Sequence, residues 1–221
     1  MGAKPKLTIE FLTKQAAIFS KRESGHSEAS LFGVTDGKAV GTYLEHKFRS
    51  YLQELYDFVG GNSASGIDFP DLLVDMKVTS VKQPQSSCPF KSAKQKIYGL
   101  GYSLLVFVYD KEDFAKTKTS RLRILHAVFV DAHRTGDYQT TRRIREILEH
   151  DGNKDDLMAF MEDIKLPVED IEAGNIADEI LKRKPELGFL TISNALQWRL
   201  QYQRVIDQAG HEEGVRQVYK G

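Results

Sequence analysis

Cysteine is almost absent from this 221-residue chain. Cys88 stands alone, which excludes an internal disulfide and fits a reducing cytoplasm. With six scattered histidines it also leaves no Cys/His spacing for a zinc site. No apolar run is long enough to span a bilayer and the N-terminus has no signal-peptide core, so no membrane partner is expected. Net charge is lacking too, with 31 Lys and Arg against 31 Asp and Glu, which taken alone argues against a polyanionic partner. Acids, however, are missing from one stretch in particular. Between Met76 and Tyr109 there is no Asp or Glu, while Lys77, Lys82, Lys91, Lys94 and Lys96 all occur. From Glu149 to Glu186, by contrast, twelve acids face five Lys and Arg. The neutral total therefore conceals a basic stretch and an acidic C-terminal part. A basic surface suits a polyanion, although a solvated, lysine-rich helix produces the same pattern.

What is present is a globular pattern of ordinary composition, long enough for one large domain or a domain with an appended lobe. Apolar residues at helical spacing predict a helix over 7–22, followed by a polar, Gly-rich loop over 23–41. A second helix is expected from Thr42 to about Val59, where Leu44, Phe48, Tyr51, Leu52 and Leu55 form a stripe and Gly60-Gly61-Asn62 stops it. A strand follows at about 72–81, then a polar loop over 82–90, a helix over 91–100 and an apolar strand over 103–109. Strand, helix and buried strand make a right-handed crossover between parallel strands. The polar segment 111–121 reads as a loop before a strand at 122–130. From Gln139 the pattern reads as helical to the end, broken at Leu166-Pro167 and Lys184-Pro185, with Gly174 as a cap. The chain divides on this reading into 1–41, a core at 42–138, and a helical region at 139–221, together one compact domain.

The chemistry lies in Gly66-Ile67-Asp68-Phe69-Pro70-Asp71-Leu72-Leu73-Val74-Asp75-Met76-Lys77. Strand alternation sets Asp75 and Lys77 on one face and Val74, Met76 and Val78 on the other. An acid and a lysine inside an apolar strand are costly to bury without a purpose. Same-strand neighbours two apart also make a poor ion pair, so a role for Lys77 at a phosphate or an attacking water is better motivated. Two carboxylates holding a divalent cation, with an ammonium beside them, make a site for cutting phosphodiesters. Asp68 has the reach to join Asp75. Asp71, four residues before Asp75, suits the turn that Pro-Asp favours. The two remain alternatives for the first ligand.

The pattern Asp68-x6-Asp75-x-Lys77, with its preceding helix and following crossover to a buried strand, resembles the PD-(D/E)XK nuclease superfamily over roughly 42–130. The resemblance implies an α/β, type II restriction-endonuclease-like core, a central mixed sheet flanked by helices. It implies Mg²⁺-dependent cleavage of double-stranded DNA, with Mn²⁺ as a substitute, leaving a 5′-phosphate. It also implies metal ligation by Asp68, Asp75 and the backbone carbonyl of Met76, and a helix glutamate that binds a second metal or a metal-bound water. Glu45 matches that position, but Thr42-x-x-Glu45 is also a capping box, so Glu45 reads as either a catalytic group or a helix start. DNA contacts are expected from Lys82, Gln83, Gln85, Ser86 and Ser87 after the motif strand, from Lys91, Lys94 and Lys96 on the next helix, and from Arg134, with Arg142 and Arg143 beyond it. Arg134, Arg142 and Arg143 serve equally as helix-capping residues. His126 is read as a satisfied histidine, and Trp198 and Tyr202 as helix packing. The expected protein is thus a cytoplasmic, prokaryotic restriction enzyme acting as a homodimer, with 139–221 supplying dimerisation or DNA contact. The alternatives are a repair or junction-resolving nuclease of the same fold, or a non-catalytic DNA-binding module.

Overall fold

The computed structural model of the chain describes residues 3–61, 66–88, 91–193 and 198–221. Helix α1 (Ile9–Ser24) is capped by Thr8, whose side chain accepts from the Phe11 N–H. Helix α2 (Gly37–Leu55) begins five residues earlier than the Thr42 start expected, because Asp36 accepts the Lys38 N–H and serves as its N-cap. Thr42 and Glu45 therefore lie inside the helix, and the capping-box reading of Glu45 does not hold.

The central sheet has the strand order β1 (Val74–Ser80), β3 (Ser103–Phe114), β4 (Thr119–Val130), β7 (Val215–Lys220). Strands β1 and β3 are parallel, as the crossover through α3 (Lys94–Tyr98) requires, with Val74 opposite Ser103 and Ser80 opposite Tyr109. The other pairs are antiparallel, so the sheet is mixed and flanked by helices, as expected. Strand β3 is continuously apolar from Leu104 to Tyr109, where both faces are covered. Leu105 and Phe107 pack with Leu12, Phe19, Leu44, Phe48 and Met76 beneath α1 and α2. Leu104, Val106 and Val108 pack on the opposite side with Trp198, Leu200, Tyr202 and Val205.

That opposite layer is where the sequence reading fails. Segment 82–90 contains a strand, β2 (Gln85–Cys88), which joins β6 (Trp198–Gln201) and β5 (Thr191–Ile192) in a three-stranded antiparallel sheet. Helices α4 (Tyr138–Glu149), α5 (Lys154–Asp163) and α6 (Asp170–Lys182) realise the helical reading as far as Lys182. Beyond it come β5, β6, the short α7 (Gln203–Gln208) and β7. Trp198 and Tyr202, taken as a helical pair, lie four apart in a segment where Trp198, Leu200 and Tyr202 are buried and Arg199 and Gln201 exposed, the alternation of a strand. Gly174 is internal to α6 rather than a cap, lying against the Lys154 side chain. The presumed loop at 111–121 is a hairpin extending β3 and β4. Its charged residues pair locally, Lys111 with Asp113 and Arg123 with Asp110, and carry no apolar signal.

Candidate active site

Strand β1 lies at the edge of the central sheet. Its odd-numbered residues bond towards β3, as Leu73 O and Val81 N–H do at its two ends. The even-numbered backbone groups consequently face the open edge. There the chain folds back through a tight turn at Pro70–Leu72, with Leu73 in the left-handed region at φ 50°. Phe69 and Val74 form an antiparallel bridge, exchanging both backbone hydrogen bonds at 2.9 and 3.2 Å. One step further out, that pairing sets Asp68 opposite Asp75. Asp68 Oδ2 then accepts the Met76 N–H at 2.9 Å, and the Met76 carbonyl, pointing the same way as its N–H, faces the same edge. Asp71, on the outside of the turn, is exposed and is not brought to Asp75.

Asp75 is 4% exposed. Burial pushes its carboxyl up to about 6, opposed by the Lys77 ammonium and reinforced by Asp68. Lys77 Nζ lies 2.7 Å from Asp75 Oδ2, with its side chain 22% exposed. The contact is an ion pair with poor hydrogen-bond direction, for Asp75 Oδ2 is a buried oxygen without a hydrogen-bond partner. Burial works against the charge on Lys77, but Asp75, Asp68 and Glu45 outweigh it and raise its pKa. Glu45 comes from α2 and is partly buried. Its carboxyl is pushed up by burial and by the charge of Asp68. One helical turn on, Arg49 forms an ion pair with Asp68 Oδ1. Sequence reasoning missed Arg49; the available signal was its i, i+4 spacing from Glu45 on the stripe of α2 that faces β1.

No three His, Cys, Asp or Glu among the described residues are arranged as a metal cluster. The site nevertheless fits a hard cation of the Mg²⁺ type, which takes one or two carboxylates and keeps several waters. Asp75 contributes an unsatisfied buried oxygen, Asp68 a second carboxylate, and Met76 an edge carbonyl.

The expected DNA-contacting residues separate into two groups. Lys82, Gln83, Ser87 and Lys91 are exposed, and Gln85 is partly so. Three others have partners inside the protein. Ser86 Oγ lies 2.5 Å from Tyr202 OH and Lys94 Nζ 2.6 Å from Glu179. Arg134, 14% exposed at its side chain, donates to the Glu213 and Leu187 carbonyls. Arg134 thus ties the C-terminal segment to the sheet instead of opening a DNA loop. Lys96 is buried rather than exposed on a basic surface. Arg142 and Arg143 are exposed and pair with Glu146. Trp198 and Tyr202 are buried packing residues, and His126 is partly buried in β4.

An open-edge pair of carboxylates with an ammonium beside it is the arrangement expected of a metal-dependent nuclease. A family model for the type II restriction enzyme NspV matches residues 6–217. The type II restriction enzyme NspV of Nostoc sp. (strain ATCC 29411 / PCC 7524) is 68% identical over 214 residues, 97% of each chain. The chain belongs to the NspV family of type II restriction enzymes. It is accordingly a site-specific deoxyribonuclease, and its mixed sheet flanked by helices agrees with the restriction-endonuclease-like fold. Enzymes of this type typically use a divalent metal ion. No solved structure matches the chain. No helix among the described residues is long and apolar enough to cross a membrane.

Proposed function

We propose that this NspV-family enzyme hydrolyses double-stranded DNA at a short sequence through Asp68, Asp75 and Lys77, with Mg²⁺ as the natural cation and Mn²⁺ as a substitute. The observation that carries this reading is the Phe69–Val74 bridge, which sets Asp68 across from Asp75 at an open strand edge with Lys77 alongside. Asp68, Asp75 and the Met76 carbonyl would hold the cation, which when bound supplies Lewis-acid stabilisation of phosphate charge and lowers the pKa of nearby water. Lys77, kept as an ammonium by the surrounding acids, donates to a non-bridging oxygen of the scissile phosphate as charge builds there. Glu45, with its carboxyl pushed up, takes the proton released as water attacks phosphorus, or holds a second ion. The new P–O bond forms as the P–O3′ bond breaks, and the departing O3′ takes a proton from solvent water, leaving a 5′-phosphate and a 3′-hydroxyl. Lys82, Gln83, Gln85, Ser87 and Lys91 contact the DNA. The enzyme acts in a prokaryotic cytoplasm as a homodimer, each subunit cutting one strand.

Digestion of a plasmid panel tests the reading. With Mg²⁺ and not with EDTA, discrete fragments from one short sequence are expected; preference for branched or damaged DNA would favour the structure-specific nuclease instead. Asp75→Asn and Lys77→Ala are each expected to lose at least about 10³-fold in rate while remaining folded by circular dichroism. A folded variant that still cuts near the wild-type rate would overturn the assignment.

A further inference from the structure

Arg49 has no part in the mechanism above, yet it holds the carboxylate on which that mechanism depends. Its guanidinium pairs with Asp68 Oδ1, while Asp68 Oδ2 takes the Met76 N–H. Asp68, 18% exposed at its side chain, is thus engaged at both oxygens, whereas Asp75 Oδ2 has its ion pair with Lys77 but no hydrogen bond. The Arg49 Nε–H is itself buried without a hydrogen-bond partner. A well-placed guanidinium would use that donor together with its neighbour in a fork. Here the fork is only half used.

We infer that Arg49 is a built-in counter-ion that occupies Asp68 in the metal-free enzyme, competes with the divalent cation for that carboxylate, and leaves it for a DNA phosphate when substrate binds. The inference rests on the reading of Asp68 and Asp75 as the carboxylates of the cation. The physical argument is one of charge. With Arg49 on Asp68 and Lys77 on Asp75, these two acids are neutralised pairwise, and an entering dication meets Glu45 as the one carboxylate of the site left without an ion pair. It binds tightly only once a cationic side chain has moved away. A phosphate diester offers the planar fork two oxygens and satisfies the idle Nε–H. DNA therefore relieves the competition, and by linkage the cation strengthens DNA binding by the same factor. Arg49 is in this sense a positioning residue that sets the threshold for metal.

Ca²⁺ binding to the full chain, measured by titration calorimetry without DNA, separates this role from a structural one. Removing a competitor tightens Ca²⁺ binding, whereas damage to the site weakens it. Arg49→Gln is expected to bind Ca²⁺ at least about tenfold more tightly than wild type, and to gain less from an added duplex carrying the mapped cleavage site. Equal or weaker Ca²⁺ affinity in a folded Arg49→Gln protein would overturn the inference. Should that variant fail to fold, Arg49→Lys keeps the charge but lacks the fork. It should bind Ca²⁺ alone like wild type and lose most of the enhancement by DNA; undiminished enhancement would overturn the inference. Asp75→Asn serves as the separate control. If it binds Ca²⁺ as wild type does, the cation lies elsewhere and the site reading itself falls.

Discussion

At the scale of single residues, the site is built from charges held where water would otherwise solvate them. Asp75 shows this most clearly, since its burial raises the carboxyl to about 6 in the folded chain. Between about pH 4 and pH 6 the folded protein therefore retains a proton that the unfolded chain has released. The contribution of this group to stability is present at the acid end of that window and is lost as pH rises through it. Asp75→Asn removes the titration. In EDTA, its unfolding free energy relative to wild type is expected to rise from pH 4 to pH 6.5 and then level off, by on the order of 1–3 kcal/mol in urea melts. A difference that stays flat across the window would contradict burial as the cause. Asp68, Asp75 and Lys77 were legible in the sequence because strand alternation and a turn-forming Pro-Asp constrain their placement. Arg49 was not, because its i, i+4 spacing from Glu45 puts it on the same helix face but does not name Asp68, nineteen residues away, as its partner.

At the scale of elements, α2 and β1 form the working unit. Leu44, Phe48 and Leu52 fix the helix against the sheet, and Phe48 meets Phe19 and Phe107 ring to ring. The same helix then carries Glu45 and Arg49 to the strand edge. Its start was misread because Thr42-x-x-Glu45 matches a capping box, while the working cap is Asp36. The two readings make opposite predictions. Asp36→Ala is expected to cost about 1 kcal/mol in stability. Thr42→Ala, at an exposed position inside the helix, should be neutral or slightly stabilising. Chemical denaturation of the two variants distinguishes them, and the reverse order would reinstate the later helix start. The short strands of the second sheet escaped notice for a different reason. Period two over four residues is easily absorbed into a longer helical pattern, and the polar β3–β4 hairpin has no apolar period at all.

At the scale of the whole molecule, the crossover and mixed sheet were legible, but closure of the sheet was not. Its last strand comes from the far end of the chain, where Val215–Lys220 pairs with β4 and buries Val215 in the second core. The C-terminal region is therefore part of the same fold, and beyond Lys182 it supplies strands where the sequence reads as helical throughout. Deleting residues 210–221 is expected to abolish cooperative unfolding as well as cleavage; a truncated chain that melts normally would contradict the role given to β7. The central claim concerns Asp68 and Asp75, and it is tested most directly by anomalous diffraction from crystals soaked in Mn²⁺. The expected result is a metal peak shared by the Asp68 and Asp75 carboxylates beside the Met76 carbonyl. A well-occupied peak that touches neither carboxylate would contradict it.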